Sequence, residues 1–293
     1  MPFPVSIVGR STAPVTHEVD AAWLTAFARA VDPDSADLVA HPLFPVCVEW
    51  PAVTAAARLD GGALLDDERR RGIHATHDLT VHRLLRPGDV VTTTATVEAL
   101  DPRPRGTSER LRLETRDAAG SLVATTLMGS MFLGVTIDGQ PASNETTAPS
   151  ETARDDAIHS TTASTVEIID TIDMQVTADQ AHTYSEASRI WNPIHTDSAA
   201  AARAGLPAPI LHGTCTLAMA VSTALAWAGV APHRLRRVRA RFAGMVTMPS
   251  TLELRVSQPS AHEVRFEVVG RDHSPVLRDG RLTLLEDTRG GLR

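Results

Sequence analysis

Two stretches of the chain repeat one pattern of apolar positions. Val19-Asp-Ala-Ala-Trp-Leu-Thr-Ala-Phe27 and Val176-Thr-Ala-Asp-Gln-Ala-His-Thr-Tyr184 each place an aromatic residue eight positions after a valine, on an apolar helical face. Thr177 and Gln180 have the spacing of a capping box, which predicts a helix start there. A second pair follows. Leu43-Phe-Pro-Val-Cys47 and Leu211-His-Gly-Thr-Cys215 each open a mostly apolar stretch that continues to Ala57 and Ala228. A helix that is apolar on most faces belongs inside a core. Each half then has a Pro-containing turn, Val81-His-Arg-Leu-Leu-Arg-Pro-Gly-Asp-Val90 and Ala243-Gly-Met-Val-Thr-Met-Pro-Ser-Thr-Leu252. Alternating apolar and polar positions predict strands at 91–97, 110–115 and 121–133 in the first half, and at 252–256, 263–269 and 280–285 in the second. Between the halves, residues 139–165 are short of large apolar side chains and read as a linker rich in Ser, Thr and Pro. Each half reads as short helices, one buried helix and antiparallel strands, an α+β layout in which a curved sheet wraps a helix.

Composition narrows the function classes. The chain has 293 residues, enough for two modest domains, with 43% hydrophobic and 22% charged residues. Its formal net charge of −7 gives no reason to expect a nucleic-acid partner. No apolar run reaches the roughly eighteen residues that span a bilayer, and the N-terminus lacks the basic and apolar regions of a secretory signal. The expectation is a cytoplasmic protein with no membrane partner. There is no lysine, which excludes Schiff-base chemistry, a lysine-bound pyridoxal phosphate and a P-loop. Cys47 and Cys215 are too few and too far apart for a zinc site or a disulfide framework, and read as buried thiols. His74, His77, Asp78 and His82 fit no standard zinc spacing and read as a loop running into a strand. Arg237, Arg239 and Arg241 alternate, so they share one face of a strand, either solvated or available to phosphates.

The densest chemistry lies in Tyr184-Ser-Glu-Ala-Ser-Arg-Ile-Trp-Asn-Pro-Ile-His-Thr-Asp197 and in Gly205-Leu-Pro-Ala-Pro-Ile-Leu-His-Gly-Thr-Cys215. These segments resemble the signature of MaoC-like (R)-specific enoyl-CoA hydratases, the hydratase-2 group of the hot-dog superfamily. Ser188, Asn192, Pro193, His195, Gly205, Pro207, Ile210, Leu211, His212 and Gly213 stand at matching places. One position departs: where the family has its catalytic Asp, two residues before the Asn, this chain has Ile190.

The resemblance implies a double hot dog. Residues 1–138 would be a degenerate N-terminal hot-dog domain, 139–165 the linker, and 166–293 a MaoC-like hot-dog domain carrying the site. It implies hydration or dehydration of an acyl thioester, linked to CoA or to an acyl carrier protein, in fatty-acid or polyketide metabolism. No cofactor or metal is implied, and a homodimer of double hot dogs is compatible with it. By position, His195 would be the acid–base, Asn192 the positioning amide and Gly213 the backbone donor to the thioester oxygen. Ile190, Ser188, His212 and Tyr184 would line the substrate site. Asp197 reads as a helix N-cap, and Glu186 is one candidate to replace the missing carboxylate. An isoleucine cannot move protons. The alternatives to hydration are therefore isomerisation or cyclisation of a specialised acyl chain by a single base, or thioester binding without chemistry.

Overall fold

The structure, a computed structural model, describes residues 2–33, 40–140, 142–143 and 168–286. The first half contributes strands β1 (Phe3–Pro4), β2 (Val15–Glu18), β3 (Gly72–Val81), β4 (Val90–Arg103), β5 (Gly106–Asp117), β6 (Leu122–Leu133), β7 (Ile137–Asp138) and β8 (Ala142–Ser143). The second contributes β9 (Asp170–Val176), β10 (Leu235–Phe242), β11 (Ser250–Ser260), β12 (Glu263–Gly270) and β13 (Pro275–Leu284). Apart from the short β1–β7 pair, all of them join one sheet in the order β2-β4-β5-β6-β3-β10-β13-β12-β11-β9, with β8 on β4. The fold is a double hot dog, α+β. The two-residue β8 falls inside the expected linker, of which 141 and 144–165 lie outside the described residues.

The two halves meet at β3 and β10, which pair antiparallel with His77 opposite Ala240 and Asp78 opposite Arg239. Arg237 makes two 2.7 Å bonds to the Asp78 carboxylate, and Arg239 Nε lies 3.3 Å from it. Arg237 and Arg239 therefore face a partner across this seam, while Arg241 meets Asp279 of the neighbouring β13 at 3.0 Å.

Each half wraps its sheet around one apolar helix, Pro45–Ala56 and Gly213–Trp227. Both start at the third residue of the repeated segments. Pro45 suits a first helical position because its missing N–H would be unpaired there anyway. The other repeated pattern gives helices Ala21–Val31 and Gln180–Ser188. Asp20 caps the first by accepting from Trp23 N at 2.7 Å. The expected capping box at Thr177 does not form. Its hydroxyl is drawn instead to the nearer Asp179 carboxylate, at 2.7 Å, and the helix starts at Gln180.

These two helices dock on each other through the aromatics that the repeat aligned. The Phe27 and Tyr184 rings lie 5.7 Å apart. Gln180 Nε2 donates to Ala30 O at 2.6 Å, and Trp23 Nε1 donates to Ala187 O at 2.9 Å. The second helix ends at Arg189, whose φ of 60° is left-handed and unfavourable for a residue with a Cβ. Its guanidinium lies over the Trp23 ring at 3.7 Å, a cation–π contact of about 1 kcal/mol that offsets this cost. Trp23 of the first half thus pins the chain where it enters the signature segment of the second.

Candidate active site

After Arg189 the chain makes a tight bend. Asn192 caps the 3₁₀ turn Pro193–His195, its Oδ1 accepting from Ile194 N at 3.3 Å, while Pro193 fixes the first turn position. Asp197 caps the next helix, Ser198–Arg203, accepting from Ala200 N at 2.6 Å. Between these caps His195 is held by one bond, Nδ1 to Ile210 O at 2.8 Å. A carbonyl only accepts, so Nδ1 carries the proton and Nε2 keeps a lone pair. Burial lowers the His195 pKa, and the Ile210 carbonyl raises it by less. The neutral form is therefore favoured.

His212 stacks on His195 with ring centroids 3.6 Å apart and planes 26° from parallel. It is 3% exposed, with Nε2 3.3 Å from Ser185 Oγ and the Ile190 backbone against its ring. Burial, aided by His195, lowers its pKa to about 3. Two imidazolium ions this close would repel strongly, so at neutral pH both rings are uncharged.

Tyr184 and Ile190 adjoin His212, and Ser188 is bonded to Ile190. Tyr184 is fully buried, 5.0 Å from the His212 ring, and its hydroxyl donates to Thr214 Oγ1 at 3.0 Å. Ser188 is also fully buried and accepts from Ile190 N at 3.2 Å. Ile190 is 5% exposed and belongs to the main hydrophobic core. Gly213 is the first residue of the central helix, so its N–H has no acceptor within that helix. A Cβ at Gly213 would approach the Phe242 ring to 2.9 Å, so in this structure that ring is what demands glycine.

No carboxylate is among the groups that shift His195. Glu186 points to solvent, 3.8 Å from His182, and so does not take the place of the missing Asp. Nor do His74, His77, Asp78 and His82 converge: among the described residues no group of three or more His, Cys, Asp or Glu could hold a metal. β3 begins at Gly72, so His74 and His77 are strand residues rather than loop. His74 lies 4.5 Å from Phe242, and His77 lies 5.4 Å from His74, ring to ring. Phe242, Ser185, Thr214 and the Ile210 carbonyl were not singled out from the sequence. Phe242 carries no local signal beyond ending the arginine-rich strand.

One antiparallel sheet around two central helices, with an Asn-Pro-Ile-His turn set against the start of the second, defines the class as a double hot dog with a hydratase-type signature. Residues 161–276 match the family described as MaoC like domain, and residues 6–126 match the FAS1-like, dehydratase domain region. Its second half thus matches a MaoC-like domain and its first half a dehydratase-type region, and the fold is the one seen in MaoC-like double hot-dog proteins. The MaoC-like dehydratase of Phytophthora capsici shares its fold at a TM-score of 0.82 and 21% identity, over 98% of this chain and 99% of that one. The full-length peroxisomal multifunctional enzyme type 2 of Drosophila melanogaster gives 0.71 and 22%, over 94% of this chain and 48% of that one.

Two curated relatives match in sequence. Peroxisomal multifunctional enzyme type 2 of Drosophila melanogaster is 39% identical over 85 residues, 29% of this chain and 14% of its own. The protein named "Probable enoyl-CoA hydratase 2" of Dictyostelium discoideum is 32% identical over 125 residues, 42% of each chain. The chain thus spans less than half of each relative. No helix among the described residues is long and apolar enough to cross a membrane.

Proposed function

We propose that this protein interconverts 2-enoyl and 3-hydroxyacyl thioesters, carried by CoA or an acyl carrier protein, with His195 as its single acid–base. The observation that carries this reading is the held, neutral imidazole. Its Nδ1–H is tied to Ile210 O, its Nε2 is left as acceptor, and it stacks on the residue that precedes Gly213. In hydration, Nε2 takes a proton from water as the water oxygen bonds to C3. The displaced electron pair moves to the thioester oxygen, which the Gly213 N–H and the helix N-terminus stabilise. The imidazolium then returns the same proton to C2 as the carbonyl re-forms, so one base is enough. Dehydration is the reverse. The names of the curated relatives support the substrate class. Action in the cytoplasm and a homodimer of double hot dogs are part of the same reading, to be tested by fractionation and light scattering.

Ile190 favours a second reading. With an apolar side chain in place of an acid, a lone neutral base also suits isomerisation of an enoyl thioester, or a cyclisation in which a substrate hydroxyl replaces water.

The test is calorimetric titration with crotonyl-CoA and a longer enoyl-CoA, followed by product analysis for wild type and His195→Ala. Removing the acid–base lowers turnover by about 10²-fold or more and leaves the fold intact. Near wild-type activity in His195→Ala would place the chemistry elsewhere. A shifted double bond or a ring without water uptake would establish the second reading, and binding without any product a non-catalytic role. If no thioester binds, carrier-linked forms included, the proposal fails.

A further inference from the structure

Helix threonines in this chain commonly donate to the carbonyl four residues back. Thr25 donates to Ala21 O at 2.8 Å, Thr216 to His212 O at 3.3 Å and Thr223 to Met219 O at 2.9 Å. Thr214 breaks the pattern. It is the second residue of the helix Gly213–Trp227, so the carbonyl four residues back is Ile210 O, which lies outside the helix and already pairs with His195 Nδ1 at 2.8 Å. Among the described residues the Thr214 hydroxyl has one partner, Tyr184, whose hydroxyl donates to it at 3.0 Å.

The direction of that bond decides what Thr214 can do. Tyr184 is fully buried, and burial pushes its phenol well above the ordinary value, so it keeps its proton and remains the donor. A threonine hydroxyl has one proton and two lone pairs. Tyr184 occupies a lone pair and fixes the hydroxyl, and the proton is left without an acceptor. Cα–Cβ bonds in a helix tilt toward its N-terminus, so the side chain lies over the turn before it. The Thr214 hydroxyl therefore stands at the end of the helix where the Gly213 N–H is also unpaired. Gly213 and Thr214 are half-buried, whereas Leu211, His212, Cys215 and Thr216 on either side are buried, so the packing opens at the two residues that hold free donors.

We propose that Thr214 is a second donor to the thioester oxygen, acting beside the Gly213 N–H, with Tyr184 as the positioning residue that orients its hydroxyl. This rests on the acyl-thioester reading above and adds a side-chain donor to it. In the single-base cycle, His195 returns its proton to C2 after oxygen has bonded to C3, so negative charge rests on the thioester oxygen in between. One N–H and one O–H then share that charge, and Thr214 keeps its proton throughout.

The test is infrared difference spectroscopy of the full chain with butanoyl-CoA carrying carbon-13 at its carbonyl, a saturated thioester that cannot be hydrated. The carbonyl band should move to lower frequency on binding to wild type, because the donors draw electrons onto the oxygen. Thr214→Val keeps the side-chain shape without the hydroxyl and should lose much of the shift, whereas Thr214→Ser should keep it. Tyr184→Phe leaves the hydroxyl free to turn and should lose part of it. With a thioester that the protein turns over, Thr214→Val should lower kcat by about 10²-fold with little change in KM, as removal of one oxyanion donor does. Should Thr214→Val fail to fold, Thr214→Ala takes its place. An absent shift in wild type, or an equal one in the folded variant without the hydroxyl, overturns this inference and leaves thioester binding standing. A shift lost in folded Thr214→Ser overturns the hydroxyl as donor, and one unchanged in Tyr184→Phe overturns the orienting role of Tyr184. If no thioester binds, carrier-linked forms included, both the proposed function and this inference fall.

Discussion

Ile190→Asp restores the carboxylate that the hydratase signature carries, and its consequences can be worked from the structure. Ile190 is 5% exposed within the main core, so the substitution forfeits nearly all of its burial, about 2 kcal/mol. An ionised carboxylate there loses its water, at a further few kcal/mol unless it is paired. The folded state should weaken by roughly 4–6 kcal/mol. At about 2–4 °C per kcal/mol for a chain of this size, Tm falls by roughly 8–24 °C, and the mutant should still fold. The Ile190 backbone lies against His212, so an anion there favours imidazolium in the His195–His212 stack and moves its pKa values up. A second proton-transfer group is worth about 10²–10⁴ in rate, roughly 3–5 kcal/mol of barrier. Crotonyl-CoA hydration should therefore appear or rise in the mutant, measured alongside Tm across pH. A robust wild-type rate that drops in the folded mutant would refute the single-base reading, because hydration would then use a group other than His195 alone. An unchanged Tm would refute the placement of Ile190 in the core.

Gly213→Ala drives its Cβ to 2.9 Å from the Phe242 ring and should cost about 1–3 kcal/mol with loss of turnover. Adding Phe242→Leu should recover the Tm, and failure to do so would mean that the ring is not what constrains Gly213. kcat/KM should fall on the acid side below the ordinary histidine range, because burial lowers the His195 pKa and the neutral ring is the base. A fall in kcat/KM at or above the ordinary histidine value would argue against a buried, neutral His195 as the base. Stability has opposing contributions. His41, His74, His77 and His212 are held at about 3 to 4 when folded and near 6.5 when unfolded, so the unfolded chain binds more protons and stability is lost as pH falls below about 6.5. Glu49 and Glu109 are raised to about 7 when folded, so they lose stability as pH rises from about 4.5 through 7. Four histidines outweigh two carboxyls, so Tm should climb from pH 4 to a maximum near neutrality. His77→Leu should flatten the acid limb, and an unchanged limb would show that His77 is not buried neutral.

The sequence by itself determined the repeating units. Periodicity and the Leu43/Leu211 parallel located both central helices, because each is an apolar run whose start is marked within a few residues by Pro45 or Gly213. The Asp197 cap was legible for the same reason: its bond spans three residues. Strand β3 was legible only near its end, since Gly-Ile-His-Ala-Thr-His-Asp-Leu mixes polar side chains into inward positions and breaks the alternation. The signature segments brought His195, Asn192 and Gly213 forward as candidates, yet spacing alone did not reveal the His195–His212 stack or the bond to Ile210 O. Those contacts, like Trp23 on Ala187, Phe242 on Gly213 and the β3–β10 seam, join residues from tens to more than a hundred and fifty positions apart. Local signals act through bonds that span a turn or two of chain. Which faces are buried together, and so which side chains meet, was decided only when two curved half-sheets closed into one and the apolar faces of their helices were covered.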